Sequence, residues 1–184
     1  MKPSLSFYLK SAVCTAWFRV HGIRSSLVAC DGRLPVLYST GKVKIGKRFI
    51  TRGRTARCEI GATAPDARLQ IGDRVFVNQG ASVTATCYVE IGDDTQIGPF
   101  TTIYDTNYHT VDPDHPLQSA PVIIGTNVWL GHGVVVLPGS KIGDHTVVAA
   151  GSVVKGDLPP RVLAAGNPAQ VVRELHIPEG WRRG

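Results

Sequence analysis

One segment of the chain combines side chains that can move protons. Residues 104–121, YDTNYHTVDPDHPLQSAP, contain two histidines, three aspartates and three prolines. An imidazole titrates near neutral pH and can take a proton from a hydroxyl group. No activated serine or cysteine motif is visible, which favours direct group transfer over a covalent enzyme intermediate. Because rigid scaffolds often present catalytic groups on loops, we interpret this segment as a candidate catalytic loop.

The sequence on either side of this loop has a period of six. A helix repeats every three to four residues and an exposed strand every two, so neither alone gives this period. Six fits a triangular coil with one hexad on each side, in which the aliphatic residues point inward. The aliphatic positions are Ile71, Val77, Val83, then Ile91, Ile97, Ile103, then Ile124, Leu130, Val136, Ile142, Val148 and Val154. They predict a parallel β-helix over 71–166, preceded by irregular first coils over 23–70.

Four stretches carry a resemblance to a known family: IGDRVFVNQG (71–80), IGPFTTIYDTNYH (97–109), PVIIGTNVWLGHGVVVLPGSKIGDHTVVAAGSVV (121–154) and LAAGNPAQVVRE (163–174). Together they resemble the hexapeptide-repeat O-acetyltransferases of the galactoside and maltose type, and more closely the polysaccharide O-acetyltransferases. The resemblance implies a left-handed β-helix that works as a homotrimer. It also implies that acetyl-CoA or another acyl-CoA donates its acyl group to a hydroxyl of a sugar or polysaccharide precursor, without a metal.

The resemblance also assigns roles to residues around the acceptor. His109 matches the family's general base, which takes the hydroxyl proton so that the alkoxide can attack the thioester. Asn78 matches an asparagine that borders the acceptor pocket, and Trp129 matches a tryptophan beside the catalytic histidine. Asp105 and Asn107 precede His109 as D-x-N-x-H, so one of them orients the imidazole or holds the turn of the loop.

Acyl-CoA in this family lies in a groove between neighbouring subunits. By resemblance, Gly131, Ala149 and Ala150 border the pantetheine arm, because small residues permit close approach to backbone amides. A backbone N–H around Gly131 is the expected donor to the oxyanion.

Basic residues near the C-terminus should contact the phosphates of this co-substrate. Arg173 matches one such position, whereas the basic residue that the family usually has three positions earlier is Gln170 here. Lys155 stands one place earlier than the family's lysine. We expect phosphate contacts through Lys155 and Arg161 as well.

The charge of the chain is unevenly distributed. Residues 1–57 hold twelve Lys and Arg but only one acid, Asp31, whereas the remainder has eight basic and thirteen acidic residues. A basic end of this kind suits an anionic neighbour such as a membrane surface or a phosphorylated lipid carrier, or is simply solvated. No nucleic-acid partner is expected. The four cysteines show no metal or disulfide spacing, which favours the cytoplasm, with possible peripheral contact at the inner face of the membrane.

The two ends differ from the coils. Apolar residues at helical spacing predict one amphipathic helix over 1–22, which either seals the open end of the β-helix or lies on a membrane. Asn167-Pro168 should end the coils, and we expect a short helix and a tail over 167–184.

Three alternatives remain open at this stage. A γ-type carbonic anhydrase uses the same prism, although His109, His115, His132 and His145 do not reproduce its H-x4-H pair. A non-enzymatic sugar-binding scaffold shares the fold, which alone does not decide function. An N-acetyltransferase of an amino sugar differs only in the acceptor. Within the loop, His115 competes with His109, and we interpret it as an exposed loop residue.

Overall fold

The computed structural model describes residues 5–110, 112–114 and 117–183. Its described elements are one helix and a long series of short strands. They are α1 (Leu5–Val20), β1 (Ala29–Gly32), β2 (Val36–Ser39), β3 (Lys42–Ile45), β4 (Ile50–Gly53), β5 (Glu59–Ala62), β6 (Arg68–Ile71), β7 (Phe76–Val77), β8 (Ser82–Ala85), β9 (Tyr88–Ile91), β10 (Gln96–Ile97), β11 (Thr102–Tyr104), β12 (Val122–Ile124), β13 (Trp129–Leu130), β14 (Val135–Val136), β15 (Lys141–Ile142), β16 (Val147–Val148), β17 (Val153–Val154), β18 (Asp157–Leu158), β19 (Val162–Gly166) and β20 (Ala169–Glu174).

The strands form the three faces of a triangular prism. Face 1 contains β1, β4, β7, β10, β13, β16, β19 and β20; face 2 contains β2, β5, β8, β11, β14 and β17; face 3 contains β3, β6, β9, β12, β15 and β18. The chain visits the faces in the order 1, 2, 3, so each of the strands β1 to β16 pairs in parallel with the strand three places on. This is the parallel β-helix that the six-residue period predicted, with the left-handed fold that the family resemblance implied.

The aliphatic residue of each hexad fills the centre of the prism. Along face 1, Val77, Ile97, Leu130 and Val148 are in register and fully buried. Each buried aliphatic side chain stabilises the fold by roughly 1.5–3 kcal/mol, and it packs on the coils directly above and below. The predicted core is therefore confirmed.

The coils differ in turn length rather than in strand pairing. In the later coils Trp129 pairs with Val147, eighteen residues on, as an ideal triangular coil requires. In the first coils Ala29 pairs with Ile50 and Ile50 with Phe76, which are 21 and 26 residues apart. The first coils over 23–70 are therefore irregular in turn length, because extra residues in the turns shift the hexad spacing, while their strands pair in register.

Helix α1 covers the N-terminal end of the prism with one face. Cys14 and Phe18 are fully buried, and the Phe18 and Phe49 rings meet edge to face at 6.2 Å. The Thr15 hydroxyl donates to the Ser11 carbonyl and accepts the N–H of Val28 at 2.9 Å. The helix thus shields the first coil from water, as the end of a solenoid requires.

The opposite face of α1 carries apolar side chains in solvent. Leu9, Val13 and Val20 are 62%, 60% and 79% exposed, whereas Trp17 is half-buried and its Nε1–H donates to the Pro35 carbonyl. The contact of α1 with the prism therefore leaves its outer apolar side chains exposed. No helix in the described part of the chain is long and apolar enough to cross a membrane.

The C-terminal segment corrects one prediction. Ala169–Glu174 forms strand β20, antiparallel to β19, where we expected a short helix. The last strand of face 1 offers an open edge, and the adjacent β-branched residues Val171 and Val172 favour a strand there. Beyond it, the chain folds back along the corner between faces 3 and 1, where the backbone N–H and the guanidinium of Arg183 both bind Asn127.

Candidate functional site

The loop of residues 105–121 leaves the prism at the corner between faces 2 and 3. It starts after β11 and returns to β12, and its two ends are hydrogen-bonded to each other. Ala120 donates its N–H to the Asp105 carbonyl at 2.9 Å, and Asn107 donates to the Gln118 carbonyl at 3.2 Å. The structure therefore gives the protruding segment a closed base.

Asp105 holds this base to the preceding coil. Its side chain is fully buried, and its carboxylate accepts the backbone N–H groups of Thr86, Cys87 and Tyr88 at 2.7, 2.7 and 2.5 Å. Burial, with the neighbouring Asp105 carboxylate, raises the pKa of the Cys87 thiol to about 11. Of the two roles open to Asp105, these contacts favour holding the loop, because a buried carboxylate bound by three amides cannot reach a substrate.

His109 stands on the outer part of the loop and is exposed. Its backbone N–H donates to the Asn107 carbonyl at 2.7 Å, and the Tyr108 hydroxyl lies 3.2 Å from the Thr84 hydroxyl. Tyr108 has a φ of 59°, and its ring reaches face 2 through this contact with Thr84. Within the described residues, neither ring nitrogen of His109 has a hydrogen-bond partner, which leaves the imidazole available to a ligand.

The structure describes Asn107 but not the second loop histidine. Asn107 is exposed and shapes the turn through its backbone, whose N–H donates to Gln118 and whose carbonyl accepts the N–H of His109. His115 lies outside the described residues. The choice between the two histidines as general base therefore stays a prediction.

Trp129 lies on a different side of the molecule from His109. It belongs to β13 on face 1, where its side chain is 46% exposed between Gln96 and Val147. Face 1 is opposite the corner between faces 2 and 3 from which the loop departs. One chain therefore does not place Trp129 beside His109, and the two can share a site only across a contact between two chains.

A second group of predicted residues follows the corner between faces 1 and 2. Asn78, Gly131, Ala149 and Ala150 occupy this corner in three coils, after strands β7, β13 and β16, with the coil of β10 between the first two. Asn78 accepts the N–H of Gln79 through its side-chain oxygen at 2.9 Å, which shapes the turn. The fold thus aligns one predicted acceptor residue with the three residues assigned to the pantetheine arm.

The role of Gly131 differs from the expected one. Its N–H donates to the Val148 carbonyl at 2.9 Å, so this group is not free to bind an oxyanion. A Cβ at this position would lie 2.6 Å from the backbone nitrogen of Ala150, which means that glycine is required for coil stacking. Among the described residues, the N–H groups of His132 and Ala150 at the same corner have no hydrogen-bond partner.

Two aromatic rings at this corner were not predicted as site residues. Phe100 is 48% exposed and contacts the exposed His132 ring at 5.6 Å between centroids. Phe100 has a φ of 56° and occupies the turn position that Gly80 and Gly133 take in neighbouring coils. The sequence could have indicated Phe100, because an aromatic residue stands there at a turn position that favours glycine.

The basic residues assigned to phosphate contacts do not converge in one chain. Lys155 lies at the corner between faces 2 and 3, Arg161 at the corner between faces 3 and 1, and Arg173 on β20 at the edge of face 1. All three are exposed. A ligand that follows a single corner of one chain cannot contact all of them, so the grouping of Lys155 with Arg161 is not supported within one chain.

Comparisons with known proteins agree with the repeat and the fold. The family model described as bacterial transferase hexapeptide (six repeats) matches residues 121–156. A hexapeptide-repeat acetyltransferase from Vibrio cholerae, solved with acetyl coenzyme A, superposes with a TM-score of 0.62 and 26% identity. That superposition covers 95% of this chain and 80% of the other.

Two Escherichia coli K12 proteins are similar in sequence. The galactoside O-acetyltransferase is 38% identical over 113 residues, which are 60% of this chain and 56% of that protein. A protein named for O-acetyl transfer in lipopolysaccharide biosynthesis is 36% identical over 124 residues, 60% of this chain and 63% of the other. The chain thus covers less than two thirds of the length of these relatives. The predicted resemblance is confirmed: the chain contains the hexapeptide repeat and has the left-handed β-helix fold of the acetyltransferases to which it is similar.

Proposed function

We propose that this chain is an acyl-CoA-dependent O-acyltransferase that transfers an acetyl group to a hydroxyl of a sugar or polysaccharide precursor. The observation that carries the proposal is the exposed His109 on a loop whose base is fixed by Asp105. The similarity to a galactoside O-acetyltransferase and to a structure that contains acetyl coenzyme A supports the choice of donor and acceptor class.

The reaction needs one base and one site for negative charge. His109 takes the proton from the acceptor hydroxyl, and the oxygen attacks the thioester carbonyl. The tetrahedral intermediate then expels the coenzyme A thiolate, which receives the proton from the imidazolium. The oxyanion requires preorganised N–H donors, and we assign this task to the unpartnered amides of His132 and Ala150 rather than to Gly131.

We further propose that the site is complete only between chains of a homotrimer. His109 leaves one corner, whereas Trp129 projects from the face opposite that corner. Three prisms around a threefold axis can bring the loop of one chain against face 1 of its neighbour, which closes the assembly without leaving an unpaired interface. Trp129 of one chain then covers the acceptor bound by His109 of the next.

The N-terminal end supports a peripheral membrane contact of a cytoplasmic enzyme. The exposed Leu9, Val13 and Val20 form an apolar surface on α1, and the exposed Lys10 and Arg19 lie beside it. Apolar side chains that enter the interface and cations that meet anionic headgroups are the two contributions that such binding needs. All four cysteines are free thiols, as a reducing compartment favours. A lipid-linked acceptor would suit this arrangement.

The direct test is release of free coenzyme A from acetyl-CoA in the presence of a panel of acceptors. The panel should contain galactosides, maltose, oligosaccharides of bacterial polysaccharides and matched amino sugars. Turnover with hydroxyl acceptors that requires His109 supports the proposal. Turnover only with amino sugars would instead identify an N-acyltransferase, and no turnover with any acceptor would favour a binding scaffold.

A further inference from the structure

A cleft of about 880 Å³ lies at the N-terminal end of face 3, beside β3. Residues 22–26 form one wall and residues 41–47 form the other. Strand β3 alternates its side chains, so that Ile45 is buried in the prism while Lys42 and Lys44 are exposed on the outer side. The outward-facing lysines of β3 thus give the cleft a basic rim.

Cations of this surface lie directly opposite one another. Arg24 and Lys44 form a parallel bridge, and Lys42 is in register with Arg68 on β6. Bridge partners on adjacent strands have Cα atoms about 4.8 Å apart, and like charges placed so close destabilise a sheet. Within the described residues, none of these four side chains has a carboxylate in salt-bridge range. The fold therefore maintains an uncompensated positive surface.

Asp73, the acid that lines the cleft, does not neutralise this surface. One of its oxygens accepts the backbone N–H of Lys47 at 2.7 Å, and the other lies 3.8 Å from the guanidinium of Arg74. The Asp73 carboxylate is therefore engaged by Lys47 and Arg74. The side chains of Arg24, Lys42 and Lys44 remain available to a ligand.

A polar atom in the wall of the cleft is a further candidate contact for a ligand. The Ser25 hydroxyl is buried and has no hydrogen-bond partner in the described part of the chain. Buried hydroxyls are normally hydrogen-bonded, so an unpartnered one in a cleft wall is a candidate ligand contact. Ser25 also lines a smaller adjoining cavity that reaches Arg19, next to the C-terminal end of α1.

We propose that this cleft is a binding site for a phosphate group, contacted by Arg24, Lys42, Lys44 and the Ser25 hydroxyl. Phosphate offers several strong acceptor oxygens and about two negative charges, which suits several cations together with a hydroxyl donor. The site is separate from the proposed catalytic loop, because this loop leads into β12, which lies three strands from β3 on face 3. The phosphate belongs either to a soluble phosphate compound or to a lipid headgroup.

Calorimetric titration of the full chain with pyrophosphate tests the site. The K42Q/K44Q double variant should weaken the affinity at least about tenfold, because two charge-assisted contacts are lost. The matched control R57Q/K141Q removes the same charge from exposed positions outside the cleft and should change the affinity less than about twofold. Ser25→Ala should weaken binding by roughly two- to tenfold, as loss of one hydrogen bond does, without lowering the melting temperature.

Vesicles with phosphatidic acid distinguish the two sources of phosphate. Saturable binding of pyrophosphate that depends on Lys42 and Lys44 assigns the site to soluble phosphate compounds, and cleft-dependent capture by vesicles alone assigns it to a headgroup. The proposal is overturned if R57Q/K141Q loses as much affinity as K42Q/K44Q, or if neither probe binds. Coenzyme A release with a soluble acceptor should be unchanged in K42Q/K44Q, so failure of this site would not affect the proposed function.

Discussion

The carboxylate of Asp105 accepts the backbone N–H of Cys87 at 2.7 Å, across the corner from which the candidate catalytic loop leaves the prism. The same carboxylate binds the amides on both sides of Cys87. One buried side chain thus joins the turn of one coil to the first residue of the loop in the next. The position of His109 depends on this connection.

Replacing Asp105 with alanine leaves three backbone N–H groups of the turn without their acceptor. We expect the free energy of unfolding to fall by about 2–5 kcal/mol, because buried donors without partners are costly. Turnover should fall with it, since the base of the loop loosens. Denaturant unfolding and the coenzyme A release assay measure both effects. Asp114→Asn, an exposed substitution in the same loop, is the control, and wild-type stability in D105A would refute the anchoring role.

His109→Ala should lower turnover by roughly 10²- to 10⁴-fold, as expected for the loss of a general base. Folding and acyl-CoA binding should be nearly unchanged, because the exposed side chain has no described hydrogen-bond partner to lose. Steady-state kinetics, thermal melting and titration with coenzyme A give the three readouts. If H109A kept near-normal turnover while H115A abolished it, the roles of the two histidines would be reversed.

Coexpression of H109A and W129A chains tests whether the site is shared between chains. Each variant alone should be weakly active, whereas random mixed trimers contain intact sites formed by His109 of one chain and Trp129 of another. About a quarter of the sites should be intact for equal expression of both chains. Activity of the mixed preparation well above that of either variant supports a shared site. Light scattering gives the oligomeric state, and a fully active monomer would exclude the arrangement.

The ion pair of Arg74 and Asp94 should make stability depend on pH. Both guanidinium contacts are short, at 2.6 and 2.8 Å, and the hydrogen bond from Arg74 lowers the pKa of Asp94 below its ordinary value of 3.8. A carboxyl with a lowered pKa in the folded state contributes stability above its unfolded pKa and loses it as pH falls through the folded pKa.

We therefore expect D94N to be less stable than the wild type by about 1.5–3 kcal/mol near neutral pH. The difference should begin to close as pH falls below about 3.8, the ordinary pKa of an aspartate, and should disappear only below the lowered pKa of folded Asp94. Urea unfolding at a series of pH values measures the difference. The control D66N also removes one negative charge, but from an exposed position, and should show no such dependence. A gap that stayed constant down to pH 2 would contradict the assignment.

The outer face of α1 can be tested without disturbing its cap. L9S/V13S changes two exposed side chains and leaves Cys14 and Phe18 in place. If this face contacts lipid, capture by phosphatidylglycerol vesicles at low salt should fall about tenfold or more, whereas V171S/V172S at the other end should retain it. Deletion of residues 1–22 is a poorer test, because it uncovers the core around Phe49. Equal capture of both double variants would argue against a lipid contact.

The hexad pattern was sufficient to predict the repeat, the buried residues and the position of the loop. These features are local, because the hexad period sets which residue of each coil points inward whatever the rest of the chain does. The prediction that residues 71–166 form one β-helix and that residues 104–121 leave it needed no further information. The family motifs likewise selected His109 by its place in a short stretch.

The relative positions of the site residues follow from the folded prism and could not be predicted from the repeat. Whether Trp129 meets His109 depends on the faces that they occupy, and these follow from the number of residues in every intervening turn. The partners of Asp105 lie 17 to 19 residues earlier, so the sequence could not separate an orienting role from an anchoring one. Residues 169–174 became a strand because face 1 ends in an unpaired edge, and α1 kept an exposed apolar face because its other face suffices to close the prism.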